Sequence, residues 1–96
     1  MQSAAIQVET RQGTLTGVVE GDTHLWCGIP YAAPPVGPLR WRAPQPVTPW
    51  QGVRQANAFS AASWQSAEYC QELGGGDPGR FSEDCLYLNV WSPAKR

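Results

Sequence analysis

The chain has little charge of either sign to spare. Its formal net charge is −1, and its seven Lys and Arg residues are scattered without forming a basic stripe. That argues against a nucleic-acid surface. No apolar run is long enough to cross a membrane. The opening Met1-Gln2-Ser3-Ala4-Ala5 has neither the basic region nor the apolar core of a signal peptide. The expectation is therefore a cytoplasmic protein with no membrane partner. Cysteine is scarce and odd in number: Cys27, Cys70 and Cys85. In the cytosol these read as three reduced thiols, and if a disulfide forms, Cys70 to Cys85 is the candidate pair. There is no Cys-x-x-Cys, and His24 is the one histidine. No metal site is expected, and no cofactor motif occurs.

Proline, glycine and tryptophan are abundant. Ten glycines and nine prolines make 19 of 96 residues, about a fifth, against a usual share of roughly 12%. Five tryptophans stand at 26, 41, 50, 64 and 91, each with a large apolar area to bury. One domain is the ceiling at this length, and such a chain buries roughly 60–70% of its unfolded surface. Much to bury and few long regular elements to bury it with suggest part of a larger globule.

Residues 4–10 alternate Ile6 and Val8 with Gln7 and Glu9 and read as a half-buried strand. Arg11-Gln12-Gly13 reads as a turn, residues 14–20 as an antiparallel second strand, Gly21-Asp22 as a tight connection, and residues 23–29 as a third strand stopped by Pro30. The result is a β-meander over residues 4–29. His24 has no orienting carboxylate nearby in sequence, so it reads as a surface or packed histidine rather than a base. Residues 30–54 form a Pro/Trp loop, because prolines exclude helix and central strand. This stretch reads as a disordered linker, as a polyproline II ligand through the P-x-x-P-x-R pattern of Pro35-Val36-Gly37-Pro38-Leu39-Arg40, or as an ordered loop over a core. Interleaved Tyr31, Trp41 and Trp50 favour the ordered loop, since disordered linkers are poor in aromatics. Gly52-Val53-Arg54 is a short extended piece. Residues 55–81 form a further loop, and residues 58–73 within it have the composition of a short helix. Gly74-Gly75-Gly76 imitates an oxyanion hole, but it follows Glu72-Leu73 rather than a strand and a histidine, so it reads as a loop.

The stretch from Ser82 to Trp91 puts two acids and a cysteine before an apolar β-prone segment. On a strand Leu86, Leu88 and Val90 face one way, and Cys85, Tyr87, Asn89 and Trp91 the other. Both faces are mostly apolar, which suits a strand covered on two sides.

Three segments resemble the N-terminal part of the type-B carboxylesterase family, the para-nitrobenzyl esterase and cholinesterase group. They are Gly28-Ile29-Pro30-Tyr31-Ala32 running into Pro34-Pro35-Val36-Gly37-Pro38-Leu39-Arg40, then Pro44-Gln45-Pro46 followed by Trp50-Gln51-Gly52-Val53-Arg54, and then Ser82-Glu83-Asp84-Cys85-Leu86. The resemblance implies an α/β fold. This chain would be the N-terminal part of an α/β-hydrolase domain, mostly β: a small antiparallel meander, long Pro-rich loops, and over residues 82–92 the signature and an outer strand of the main sheet. It implies hydrolysis of a small-molecule carboxylic ester through an acyl-serine. It also implies that the oxyanion glycines, nucleophile, acid and histidine lie on a longer C-terminal polypeptide carrying the catalytic triad. No Gly-x-Ser-x-Gly occurs here, and Ser60, Ser63, Ser66 and Ser82 lack the strand–turn–helix setting of a nucleophile. No catalytic residue is assigned to this chain, which is expected to be inactive alone. Ser63 stands where many family members place a cysteine, so the family disulfide is not expected. The resemblance pairs Arg40 with Glu83, a guanidinium fork and a carboxylate suited to bidentate contact. It also suggests that residues 68–80 lie near the active-site mouth. From its residues alone, Ser92-Pro93-Ala94-Lys95-Arg96 reads as an exposed loop after the strand, open to proteases. The rival readings are a non-catalytic adhesion or binding protein of the same fold, and an SH3 ligand displaying residues 35–40.

Overall fold

The computed structural model describes residues 5–76 and 78–94. Residue 4 of the expected first strand, Asp77 of the glycine-rich loop and the terminal Lys95-Arg96 lie outside the described residues.

Strand β1 (Ala5–Glu9) runs antiparallel to β2 (Thr14–Glu20), with Val8 opposite Leu15 and Ile6 opposite Gly17. Thr10 closes the turn between them: its hydroxyl donates to the Gly13 carbonyl at 2.7 Å, and its own carbonyl accepts the Gly13 N–H at 3.2 Å. That contact ends β1 one residue earlier than the alternation suggests. Strand β3 (Thr23–Pro30) returns after Gly21-Asp22, pairing Val18 with Leu25 and Glu20 with Thr23. Pro30 is its last residue rather than the one after it, opposite Tyr87. At a strand's end proline's missing donor costs no ladder bond.

Beyond Leu25 the two strands diverge, and β4 (Val53–Gln55) fills the fork, parallel to β2. Ala56 completes the insertion. Its N–H donates to the Thr16 carbonyl and its carbonyl accepts the Cys27 N–H, both at 2.8 Å. The core lies at this fork, with Leu15, Thr16, Leu25, Cys27 and Ala56 buried.

Strand β5 (Tyr87–Pro93) pairs antiparallel with the far side of β3, giving the order β1-β2-β3-β5. Trp26 faces Val90 and Ile29 faces Leu88, so Cys27 and Gly28 together oppose Asn89 across a β-bulge. The Gly28 N–H, lost to the ladder, donates to the Asn89 side-chain oxygen at 2.9 Å. Gly28 has φ +71°, and a Cβ there would lie 2.7 Å from Ser60 Oγ and 2.8 Å from the Ala58 carbonyl. Only glycine fits this point. The alternation read from sequence holds: Val90 and Ser92 line one face, and Trp91 meets Phe59 edge-on across the other at 6.4 Å. The expected cover on both faces is not supplied by the described residues. Leu88 and Val90 are each 40% exposed and Trp91 is 57% exposed.

The Pro/Trp loop is ordered. Trp50 anchors it, donating its backbone N–H to the Gln12 carbonyl and its indole N–H to the Thr14 carbonyl, both at 2.9 Å. The indole lies so close over Gly13 that a Cβ there would fall 2.5 Å from Nε1. Residues 37–39 make a single 3₁₀ turn with Gly37 at φ +56°. That geometry is not a polyproline II helix, so the SH3-ligand reading loses its structural basis. Helix α1 (Ala67–Glu72) is shorter than the composition of residues 58–73 suggests. Ser66 caps it, its hydroxyl accepting the Tyr69 N–H at 3.2 Å.

Candidate functional site

The residues singled out from sequence sit where the Pro/Trp loop meets the segment before β5. Arg40 follows the 3₁₀ turn, and Glu83 precedes Asp84 in the approach to the strand. Arg40 Nε lies 3.0 Å from Glu83 Oε1. The side chains are 57% and 42% exposed, so this contact contributes on the order of 0–1 kcal/mol. The larger effect of stranding a buried charge does not apply at that exposure. Arg40 also lies over the Trp41 ring, 5.3 Å from its centroid. Trp41 is 91% exposed with φ +65°, a left-handed backbone that costs an L-residue roughly 1–2 kcal/mol.

A second polar group lies behind this pair and was not anticipated. The Tyr87 hydroxyl donates to Asp84 Oδ1 at 2.8 Å, and Asp84 in turn accepts nothing from Arg40 but receives its backbone order from Ser82, whose Oγ accepts the Asp84 N–H at 3.1 Å. The Arg54 guanidinium sits between two rings, 5.6 Å from the Trp50 centroid and 6.0 Å from that of Tyr87. Its Nε is buried without a hydrogen-bond partner among the described residues. Burial raises the Tyr87 phenol above its ordinary value of 10.0, and the bond to Asp84 pushes it the same way. The cluster ties β4, the Pro/Trp loop and the start of β5 together. A small polar cavity of about 100 Å³ adjoins it, lined by Ser60, Arg80, Ser82, Asp84 and Tyr87. The signal for the cluster was present in sequence as a tyrosine three residues after an aspartate. The third member, Arg54, comes from a strand too short to show a period.

The other candidates resolve simply. His24 packs edge-on against Trp26 at 6.0 Å between ring centroids. No hydrogen bond among the described residues joins it to a serine hydroxyl. The glycine triplet closes α1: the Gly74 N–H donates to the Gln71 carbonyl at 3.0 Å and the Gly75 N–H to the Cys70 carbonyl at 2.8 Å. Those donors are therefore not aimed at a substrate oxygen. Cys27, Cys70 and Cys85 are all free thiols, so the candidate Cys70–Cys85 pair is not formed. Cys70 Sγ donates to Gln65 Oε1 at 2.7 Å. Burial, with Glu20 as a lesser cause, raises the Cys27 thiol above its ordinary 9.0. Among the described residues no group of three or more His, Cys, Asp or Glu is placed to hold a metal ion. No described helix is long and apolar enough to cross a membrane.

Comparison with known proteins bears on all of these positions. The profile of the carboxylesterase family matches residues 4–96. The chain is 49% identical over 84 residues to the fumonisin B1 esterase of Sphingopyxis macrogoltabida, covering 88% of this chain and 15% of that protein. It is 42% identical over 86 residues to the para-nitrobenzyl esterase of Bacillus subtilis (strain 168), covering 90% of this chain and 17% of the relative. A solved para-nitrobenzyl esterase structure superposes with a TM-score of 0.84 at 40% identity, over 93% of this chain and 18% of that one. The chain thus spans about a sixth of the length of the curated relatives it matches.

Proposed function

The chain belongs to the carboxylesterase family, and from that premise we propose that it is the N-terminal part of a serine ester hydrolase whose catalytic residues stand elsewhere on the polypeptide. One observation carries the reading. The family match runs through residues 4–96, yet these residues hold no Gly-x-Ser-x-Gly and among those described no serine bonded to His24. The match covers only 15–17% of the relatives' length. In this reading a serine outside residues 1–96 attacks the ester carbonyl while a histidine takes its proton and passes it to the departing alcohol. Water then cleaves the acyl-serine, releasing the acid. Backbone N–H groups hold the oxyanion. Residues 1–96 contribute the sheet from β1 to β5, the Arg40–Glu83 tie, and the loop of residues 68–80 near the active-site mouth. The substrate is a small-molecule carboxylic ester. A cytoplasmic setting is part of the same proposal and is supported by three free thiols.

The test uses the whole polypeptide and para-nitrophenyl esters of short acids. The expected result is hydrolysis with a burst of nitrophenol stoichiometric with enzyme, and no hydrolysis above buffer by residues 1–96 alone. A whole polypeptide that lacks both the burst and any turnover is a binding protein of the same fold.

A further inference from the structure

Tyr87 lines two cavities. The first is the polar one already described, where Arg80 and Asp84 supply one charge of each sign. The second, of about 170 Å³, lies where the Pro/Trp loop leaves β3, and its lining includes Pro30, Pro34, Val47, Trp50 and Arg54. Arg54 is its only charged group, and no carboxylate among the described residues lines it. Arg54 is half-buried, and its Nε is buried with no acceptor. Among the described residues the one ion pair is Arg40–Glu83, so no carboxylate of theirs lies within salt-bridge distance of Arg54. The rings beside it, Trp50 at 5.6 Å and Tyr87 at 6.0 Å, offer a cation–π attraction but no counter-charge. Tyr87 is a neutral phenol at neutral pH, since burial and the bond to Asp84 raise it above 10.0. Two guanidiniums, Arg54 and Arg80, thus share one carboxylate, Asp84, around Tyr87. One positive charge is left over, and it belongs to the second cavity. A partly buried cation without a counter-charge is destabilising until an anion joins it.

We infer that this second cavity is a binding site for a small monocarboxylate. The Arg54 guanidinium meets the carboxylate head as a planar fork. The short alkyl tail lies against Val47, Trp50 and the prolines. A surplus of one charge suits a monoanion, and the apolar walls disfavour a strongly hydrated dianion such as sulfate. The source of the ligand rests on the proposed ester hydrolysis, because each turnover releases one carboxylate.

Calorimetric titration of the whole protein with butyrate tests it. The parent is expected to bind butyrate saturably, and butyramide, which has the same shape without the charge, at least about tenfold more weakly. Arg54→Gln removes the cation, and Val47→Phe keeps the cation but fills the cavity. Each is expected to weaken butyrate by about tenfold or more. Should Arg54→Gln fail to fold, Val47→Phe carries the test, since it alters a loop residue and leaves the cluster around Tyr87 intact. No saturable binding by the parent overturns the proposal. Equal affinity for butyramide does so too, because the cavity then takes any small polar molecule. Unchanged butyrate binding in either variant also overturns it. A parent that ignores butyrate, with an Arg54→Gln variant of lower melting temperature, places a carboxylate of the remaining polypeptide on Arg54 instead and is equally contrary. Ester hydrolysis is measured on the same samples. An active enzyme without Arg54-dependent butyrate binding refutes the site and leaves the esterase reading standing. Arg54-dependent binding in a protein without turnover does the reverse.

Discussion

The fork of β2, β3 and β4 and the edge made by β5 are built from similar residues and end in opposite states. In the fork, short local segments satisfy one another: Ala56 joins Thr16 to Cys27 through two backbone hydrogen bonds, and Leu15, Leu25 and Cys27 are buried around it. In β5, Leu88, Val90 and Trp91 are as apolar as anything in the fork, but they stay 40–57% exposed. The difference is not one of propensity. The fork receives a third strand whose Val53 lies 39 residues beyond its partner Thr14 (53 − 14), whereas among the described residues β5 pairs only with β3. Burial here depends on what the chain can bring back to a strand; under the proposed function, that supply for β5 lies beyond residues 1–96.

The largest expected effect attacks the point where the two regions meet. Gly28→Val places a branched side chain at φ +71° against Ser60 and Ala58. It should cost about 2–4 kcal/mol and shift the denaturant midpoint of the whole protein strongly downward. An unchanged midpoint would show that the bulge is dispensable. Tyr87→Phe comes next. It removes the bond to Asp84 at 2.8 Å, for a loss of about 1 kcal/mol. It also changes the pH dependence. The folded phenol titrates above its ordinary 10.0 because it is desolvated and bonded to Asp84. Its contribution to stability is therefore complete below pH 10 and is lost as pH rises through the folded value. Unfolding of the parent measured from pH 8 to 11 should show a decline in that upper range, and the Phe variant should show less of it. The Cys27 thiol, also raised, adds a decline of the same sign starting near its ordinary 9.0, and this persists in the Phe variant. The smallest effect is at Arg40 and Glu83. A double-mutant cycle of Arg40→Ala and Glu83→Ala should give a coupling of about 0.5 kcal/mol that shrinks in high salt. A coupling several times larger would mean that the rest of the polypeptide buries the pair.

The meander was legible because its strands alternate and its turns carry Gly13 and Gly21-Asp22 at the right spacing. The order of the Pro/Trp loop was legible through Trp50, whose indole and backbone both reach the β1–β2 turn. The bulge was not, since Gly28-Ile29-Pro30 looks like an ordinary strand end and its partner Asn89 lies 61 residues away. Three residues at Val53–Gln55 are too few to display a period, so the parallel pairing of β4 and the placing of Arg54 between Trp50 and Tyr87 were invisible. The P-x-x-P-x-R pattern was the weaker reading beside an ordered loop, and the backbone shows why. Gly37 takes a positive φ, and the segment closes into a 3₁₀ turn that the pattern does not encode. At the candidate site, the proximity of Arg40 to Glu83 was suggested by family resemblance, while the Asp84–Tyr87–Arg54 cluster behind it needed three-dimensional contact to appear.

The central claim is that residues 1–96 frame an esterase whose nucleophile they do not contain. Reaction of the whole protein with a fluorophosphonate, followed by mapping of the labelled peptide by mass spectrometry, tests it most directly. The account predicts one labelled serine outside residues 1–96, with loss of ester hydrolysis in proportion to labelling. Stoichiometric, activity-linked label on Ser60, Ser63, Ser66 or Ser82 would contradict it.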